Sequence, residues 1–165
     1  MESLNDWTQN IEKKNHQSVA YIDLAKAFDS VCHNKLLLKL LAYGICGTLL
    51  SWISSFLSNR HSQTRIGSCL SSAMLILSGV VQGSYLGILL FTVLINDISD
   101  LFSGDACVKL FADDVKLYSK VCTNPDSLQE GLNSIVEWSH TWQVPISESK
   151  YFQLESVVRC CIFYS

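Results

Sequence analysis

Two short stretches of β-forming residues, 108–111 and 115–118, are separated only by Ala112-Asp113-Asp114. Apolar arms joined by so short a polar connection predict a β-hairpin that carries two adjacent carboxylates at its tip. Asp is common in turns, because its side chain can bond its own backbone, so an ordinary turn is one interpretation. A functional site is the other, since two carboxylates that repel each other gain nothing from burial.

A third carboxylate, Asp23, ends another β-forming stretch, 18–24, whose residues 19–22 are largely apolar. If this strand neighbours the hairpin in one sheet, three carboxylates converge on one edge. Hard oxygen ligands suit Mg²⁺ or Mn²⁺. Two such ions about 3.5–4 Å apart can activate an attacking hydroxyl and stabilise a leaving phosphate. The carboxylates therefore indicate phosphoryl or nucleotidyl transfer.

The periodicity of the remaining chain predicts an α+β domain. Helical patterns are found at 4–14, 37–41 (before the stop signal Gly44), 49–56, 86–94 and 128–142. Residues 62–67 and 73–78 predict two strands joined by a turn containing Gly and Ser, and 79–84 predict a loop. Because strands and helices do not alternate regularly, we expect an antiparallel sheet with helices packed on one face.

Composition excludes several classes of protein. The longest apolar run, Tyr85–Ile95, has about 11 residues, whereas a membrane-spanning helix needs roughly 20, so we expect no membrane contact. Seven cysteines lie at scattered positions without zinc-ligand spacing, and we expect them to be small buried residues of a reduced, intracellular protein. A net charge of −3 with 12 basic residues is unusual for a protein that binds nucleic-acid phosphates.

The motifs and their order identify a family. Residues 21–31, Tyr-Ile-Asp-Leu-Ala-Lys-Ala-Phe-Asp-Ser-Val, resemble the first palm motif of non-LTR (LINE-type) retrotransposon reverse transcriptases. Phe-Ala-Asp-Asp at 111–114 is similar to the catalytic hairpin of that family, and 78–87 with 95–98 resemble its middle motif. The resemblance extends over about residues 8–154, and also includes Gly44-Ile45, Trp52, 56–60, Trp138, Trp142 and Lys150.

The resemblance implies a reverse transcriptase palm that catalyses RNA-directed DNA synthesis. Asp23 and Asp113 would bind two Mg²⁺ or Mn²⁺ ions, and Asp114 would complete the cluster. The implied partners are an RNA template, a DNA primer and deoxynucleoside triphosphates. A functional protein of this kind would act in the nucleus.

Further roles are implied for four residues. Phe28 would be the aromatic that selects deoxyribose, with a plain core phenylalanine as the alternative. Gln82 and Gly83 would lie beside the nascent base pair, although such a segment is often only a loop. Lys150 would lie near the triphosphate, or else be an ordinary surface lysine. Asp29 is expected to have a structural role, as a cap or in holding a turn.

The chain also departs from the family pattern. Val81 and Ile88 stand where the family usually has Pro, which would free a loop that should be preorganised. We expect residues 1–154 to form the palm with fingers and thumb largely missing, and 155–165 to be an unaligned tail. Such a palm would be inactive in isolation and would associate through exposed apolar surface. The alternatives are an inactive remnant and a domesticated module that binds RNA or protein.

Overall fold

The computed structural model describes residues 18–102, 106–119, 126–147, 152–155 and 159–160. The chain divides into two compact units, one formed by Met1–Ala25 with Asn96–Ser165 and the other by Lys26–Ile95. Antiparallel strands and helices are both present, which confirms the predicted α+β class. The helix predicted at 4–14 lies outside the described residues.

The elements are numbered in chain order. The strands are β1 (Ser18–Asp23), β2 (His61–Ser62), β3 (Arg65–Ile66), β4 (Cys69–Leu70), β5 (Met74–Leu75), β6 (Ala106–Phe111), β7 (Asp114–Ser119), β8 (Phe152–Glu155) and β9 (Arg159–Cys160). The α-helices are α1 (Ala27–Ser30), α2 (His33–Ala42), α3 (Gly47–Leu57), α4 (Tyr85–Ile95) and α5 (Asp126–Trp142), and a 3₁₀ helix spans Asn96–Leu101. The predicted hairpin and the four predicted helices within the described ranges are therefore found at the expected places.

The first unit contains a five-stranded antiparallel sheet in the order β6-β7-β1-β8-β9. Strand β1 lies at the centre of this sheet, between β7 and β8. Its apolar residues Val19, Ala20 and Ile22 are all buried, as expected for a central strand. Helix α5 packs on the sheet through Gly131, where an added Cβ would lie 2.9 Å from Leu117 Cδ2. The missing side chain therefore allows a close approach of helix and strand.

Helix α5 follows its predicted amphipathic pattern. Its buried residues include Leu128, Ile135 and Trp138, which repeat at i, i+7 and i+10 and so lie on one face. The Nε1 of Trp138 donates a hydrogen bond of 2.9 Å to Oδ1 of Asp97 in the 3₁₀ helix. This bond joins the end of the middle motif to α5 within the first unit.

The second unit is built on α2, α3 and α4. Its buried core residues include Leu36, Leu40, Ile53, Leu57, Leu90, Phe91 and Leu94. Lys39 is also buried, and its Nζ donates to the backbone carbonyl of Leu94. A cation near the last turn of α4 is favourable because the carbonyl groups there lack partners within the helix.

Residues 60–77, hereafter the arm, form an interrupted β-ribbon in the second unit. Strands at 62–67 and 73–78 joined by a turn were expected, but the strands are shorter and β4 lies within the expected turn. Strand β2 pairs with β5 and β3 with β4 as separate two-stranded sheets. Two residues separate β2 from β3 whereas three separate β4 from β5, so the register changes by one, as at a β-bulge. Between the two short sheets, the Ser71 hydroxyl accepts a hydrogen bond of 2.9 Å from the Thr64 N–H, where a regular ladder would have a backbone carbonyl as the acceptor.

The prediction of buried cysteines is wrong for the four whose burial the structure describes. Cys46 and Cys69 are exposed, and Cys32 and Cys107 are half-buried; all four are free thiols. Cys69 is exposed because it lies in the arm, whose residues 61–75 are all exposed. The apolar character of cysteine therefore did not predict its burial. In the part of the chain that the structure describes, no helix has the length and apolar character needed to cross a membrane.

Candidate active site

Asp23 and Asp114 are direct partners in the antiparallel ladder of β1 and β7. The adjacent Leu24 N–H donates to the Asp113 carbonyl at 3.3 Å, so Leu24 and Asp113 form a hydrogen-bonded pair. Asp23 and Asp114 then fall in a non-hydrogen-bonded pair, in which Cα atoms are typically about 4.5 Å apart and side chains approach most closely. The strand carrying Asp23 is thus the immediate neighbour of the hairpin.

Asp113 occupies the turn of the hairpin beside this pair. Phe111 pairs with Asp114, which leaves Ala112 and Asp113 as a two-residue connection. Ala112 has a φ of 53°, in the left-handed region. This conformation costs a residue with a Cβ roughly 1–2 kcal/mol, so the tip of the hairpin is held in a strained turn by the pairing of its arms.

The face of the sheet that carries these acids continues with aromatic and basic groups. Tyr21 pairs with Lys116 two residues along the ladder from Asp23, and side chains two residues apart share a face. The Lys116 Nζ lies 4.8 Å from the centre of the Tyr21 ring, a distance suited to a cation–π contact. The next pair on this face of β7 and β6 is Lys116 with Lys109.

The carboxylates form a pair with a third acid beside it. Like charges directly opposite each other on neighbouring strands are destabilising, and a cation between them would offset the repulsion. Among the described residues, no group of three or more His, Cys, Asp or Glu side chains is arranged to hold a metal ion. The donor set is nevertheless suited to a hard divalent ion, because it consists of carboxylate oxygens.

Phe28 lies in the second unit, on α1. Its ring centre is 4.4 Å from that of Phe91 at an interplanar angle of 32°, and Phe91 is buried. Phe28 itself is only half-buried. One side of the ring therefore packs on the core of this unit, and the ring still offers surface to a ligand.

Gln82 belongs to the loop between the arm and α4, in the same unit as Phe28. Its Nε2 donates a hydrogen bond of 3.0 Å to Oδ1 of Asp29. The backbone of Asp29 also holds this loop, because its carbonyl accepts a 2.8 Å hydrogen bond from the Ser78 hydroxyl. Asp29 thus has a structural role as expected, but its carboxylate holds Gln82 and does not cap a helix.

The glycines of this loop have different tasks. Gly79 has a φ of +88°, and a Cβ there would lie 2.9 Å from the Cα of Asp29. Gly83, with φ +80°, has nothing within 4 Å of an added Cβ, so it is needed for its backbone conformation alone. Gly87 lies on α4 against the carbonyl of Val81, which an added Cβ would overlap.

Sequence reasoning missed His33 as a partner of this loop. Its Nε2 lies 2.8 Å from the carbonyl oxygen of Gly79, across 46 residues of sequence. No local pattern could have indicated this bond, because nothing in the residues around His33 predicts which carbonyl group it meets. His33 is half-buried at the start of α2.

Val81 and Ile88 stand where the family usually has proline, and hydrogen bonds made by Ser84 order the chain around both positions. The Val81 carbonyl accepts a 2.8 Å hydrogen bond from the Ser84 hydroxyl, which in turn accepts from the Gly87 N–H at 2.9 Å. The Ile88 N–H makes only a long bond of 3.4 Å to the Ser84 carbonyl. A proline at position 88 would therefore remove only this one long hydrogen bond. In this sequence the Ser84 side chain orders the turn.

The predicted site residues are thus distributed over both units. Asp23, Asp113 and Asp114 lie together on the sheet of the first unit, whereas Phe28, Gln82 and Gly83 belong to the second. Lys150 lies outside the described residues.

The sequence profile of the family described as "Reverse transcriptase (RNA-dependent DNA polymerase)" matches residues 1–159. The chain belongs to the reverse transcriptase family. The match includes all three carboxylates and the loop around Gln82. It ends five residues beyond the predicted palm boundary at 154, which stays a prediction.

Curated relatives specify the branch of the reverse transcriptase family. The RNA-directed DNA polymerase from mobile element jockey of Drosophila funebris is 32% identical over 149 residues, which cover 85% of this chain and 16% of that protein. The probable RNA-directed DNA polymerase from transposon BS of Drosophila melanogaster is 29% identical over 157 residues, covering 86% and 17%. The resemblance to non-LTR retrotransposon reverse transcriptases is confirmed. The chain spans about a sixth of the length of these relatives.

Solved reverse transcriptases share the fold. A telomerase from Candida tropicalis, in complex with a TWJ fragment of telomeric RNA, superposes with a TM-score of 0.75 at 12% identity. The match covers 96% of this chain and 29% of the telomerase. An apo telomerase of the same organism, truncated from its C-terminal domain, gives 0.67 at 10% identity, covering 94% and 34%. The predicted reverse transcriptase fold is thereby confirmed.

Proposed function

We propose that this chain carries the nucleotidyl-transfer centre of an RNA-directed DNA polymerase, with Asp23, Asp113 and Asp114 as ligands of two Mg²⁺ or Mn²⁺ ions. The observation that supports this most directly is the pairing of Asp23 with Asp114 beside Asp113. An RNA template, a DNA primer and deoxynucleoside triphosphates are the proposed partners. The names of the jockey and BS relatives, an RNA-directed DNA polymerase and a probable one, are in agreement with this substrate class.

The electrostatics of the sheet edge support the role of the ions. A pair of facing carboxylates is unfavourable unless a cation lies nearby, and oxygen ligands select hard divalent ions. Bound ions of this kind lower the cost of negative charge on an attacking oxygen and on a leaving phosphate. The protein's own contribution is to hold the carboxylates in place, which the ladder of β1 and β7 does at Asp23 and Asp114.

The residues of the second unit would supply positioning. The half-buried ring of Phe28 would pack against the sugar of the incoming nucleotide and exclude a 2′-hydroxyl. The amide of Gln82, oriented by Asp29, would contact the nascent base pair, and the left-handed Gly83 would keep the loop close to it. Lys150 would lie near the triphosphate. Accurate positioning is a large part of the acceleration in phosphoryl transfer.

Extension of a DNA primer on an RNA template tests the activity. Because the 165-residue chain is expected to be inactive in isolation, the assay uses a chimera of the jockey relative that carries this chain as its palm. Extension by the chimera should require Mg²⁺ or Mn²⁺, be lost in Asp113→Asn and be retained in Asp100→Asn. Asp100 is a matched control because it is an exposed acid on the 3₁₀ helix. Extension by the 165-residue chain would contradict the expectation that it is inactive in isolation.

Metal binding provides a readout that does not require turnover. We expect the chain to bind Mn²⁺, measured by loss of the free-ion signal in electron paramagnetic resonance. Asp113→Asn and Asp23→Asn should weaken this binding, while Asp100→Asn should not. A folded chain that neither extends a primer nor binds Mn²⁺ more tightly than Asp113→Asn would overturn the proposal.

A further inference from the structure

The charges of the two units differ in sign, although the whole chain is acidic. Lys26–Ile95 contains five basic residues and a single acid, Asp29, for a net charge of +4. The rest of the chain has seven Lys and Arg against fourteen Asp and Glu, a net charge of −7. From Ser30 to Asn96 there is no acidic residue at all. The overall charge of −3 therefore hides a basic unit that can attract a polyanion.

The arm is the most exposed part of this basic unit. All residues from 61 to 75 are exposed. Isolated two-stranded ribbons are marginally stable in water, and this one consists of two pieces of two residue pairs each. A ribbon with so little support of its own is expected to gain order from a ligand that lies along it.

The side chains of the arm are suited to donating hydrogen bonds to phosphate. Its charged residues are Arg60 and Arg65, and its neutral polar residues are Ser62, Gln63, Thr64, Ser68, Ser71 and Ser72, with His61 beside them. Arg, Ser, Thr and Gln are among the side chains that contact phosphates and sugars in protein–nucleic acid complexes.

The two guanidinium groups have unused donors. Arg65 is exposed and its Nε donates to the Gly67 carbonyl at 3.1 Å, which leaves the planar end of the group available. The Nη1 of Arg60 is buried and has no hydrogen-bond partner among the described residues. A buried charged donor without an acceptor is unfavourable, and an anion at the base of the arm would satisfy it.

We infer that the arm, whose residues do not include the three carboxylates, is a binding surface for the sugar–phosphate backbone of single-stranded RNA. The inference deepens the proposed function, because it names a surface that would hold the template. Charge selects this partner over an apolar one. The arm has no acid to repel phosphates. Its exposed large apolar side chains are Ile66, Leu70, Met74, Leu75 and Leu77, and the Ile66→Ser variant below tests whether they join two copies of the chain instead.

The contribution of each arginine follows from counterion release. For single strands, the logarithm of the association constant falls by about 0.7 per phosphate contact for each tenfold increase in salt. Loss of one contact therefore weakens binding about fivefold at 0.1 M salt and lowers the slope by about 0.7. Loss of both should weaken binding roughly 25-fold on the same relation.

The test is fluorescence anisotropy of a labelled single-stranded RNA with the 165-residue chain, at several KCl concentrations and in EDTA. We expect Arg65→Gln and Arg60→Gln each to weaken binding about fivefold at 0.1 M salt with the smaller slope. Lys35→Gln, which removes the same charge from α2, should leave both unchanged. Arg65→Glu should weaken binding more than Arg65→Gln.

Because Arg60 is half-buried, far-UV circular dichroism must show that its variant is folded, while the exposed Arg65 provides the independent result. Unchanged affinity and slope in Arg65→Gln and Arg65→Glu would overturn the inference. So would a change from dimer to monomer in Ile66→Ser with unchanged RNA binding, since the arm would then join two copies. The carboxylate centre is tested separately, because Asp113→Asn should weaken Mn²⁺ binding while RNA binding in EDTA persists.

Discussion

The carboxylate of Asp29 accepts a hydrogen bond of 3.0 Å from the side-chain amide of Gln82. The two residues are 53 positions apart and belong to different motifs, yet both lie in the second unit. The bond fixes which way the amide of Gln82 faces, since only its NH₂ group can donate. Asp29 therefore determines which atoms of Gln82 remain for a substrate.

Replacement of Asp29 tests this relationship. Asp29→Ala removes the acceptor, and we expect kcat/KM for the incoming nucleotide to fall about three- to tenfold, the usual effect of losing one hydrogen bond. Asp29→Asn keeps a side-chain oxygen that can accept from Gln82, so most of the loss should be rescued. Steady-state primer extension by a chimera of the jockey relative that carries this chain as its palm measures both variants. Equal loss in the two would mean that the charge of Asp29 matters and the hydrogen bond does not.

The strained turn of the hairpin predicts a stabilising substitution. Ala112→Gly should relieve a left-handed conformation worth roughly 1–2 kcal/mol, offset in part by the greater backbone freedom of glycine in the unfolded chain. We expect a net stabilisation of up to about 1 kcal/mol in urea unfolding. Destabilisation would show that the exposed methyl group of Ala112 makes contacts that outweigh the strain.

Alanine substitutions at Gly44 and Gly79 distinguish the cost of backbone strain from the cost of steric overlap. Both have positive φ, +88° and +85°, but only at Gly79 would a Cβ meet other atoms, those of Phe28 and Asp29. Gly44→Ala should cost about 1 kcal/mol, the penalty of the left-handed region alone. Gly79→Ala should cost at least about 2 kcal/mol, because backbone must also move. Equal costs in urea unfolding would contradict the close packing of the loop on Asp29.

The bond between Trp138 and Asp97 predicts a loss of stability in the first unit. Trp138→Phe keeps a large aromatic ring in the core but removes the Nε1 donor, leaving the Asp97 carboxylate with one partner fewer. We expect a loss of about 1–3 kcal/mol in urea unfolding. Trp52→Phe is the control, since Trp52 is 56% exposed and should change stability by less than about 0.5 kcal/mol. Similar values for both variants would show that the bond contributes nothing.

Local pattern predicted the elements well and their long-range partners poorly. The hairpin of β6 and β7 and the apolar helix α4 were predictable because their signals lie within a few residues of each other. The interruption of the arm depends on one extra residue between β4 and β5, which a β-forming pattern does not register. The partners of Asp29 and His33 depend on how the chain folds back over about 50 residues, so they required the structure.

The site residues followed the same rule. The placement of Asp23, Asp113 and Asp114 was predictable because each stands where an apolar strand meets a turn, and their role as metal ligands stays a prediction. Their direct pairing could be stated only as a condition, that β1 neighbours the hairpin, until the register of the ladder was known. The difference in net charge between the two units was also not predicted. The net charge of the whole chain does not show how its charged residues are distributed, and the bounds of the units were not known.

Strand β1 is paired along both edges, with β7 on one side and β8 on the other. A shift of β1 by one residue would break both ladders together and would turn Asp23 to the opposite face of the sheet. A single-residue insertion or deletion within β1 should therefore disrupt the pairing with both β7 and β8 or move Asp23 away from Asp114. The number of residues in β1 is therefore constrained as strictly as the identity of Asp23. Sequence variation within this strand should occur by substitution.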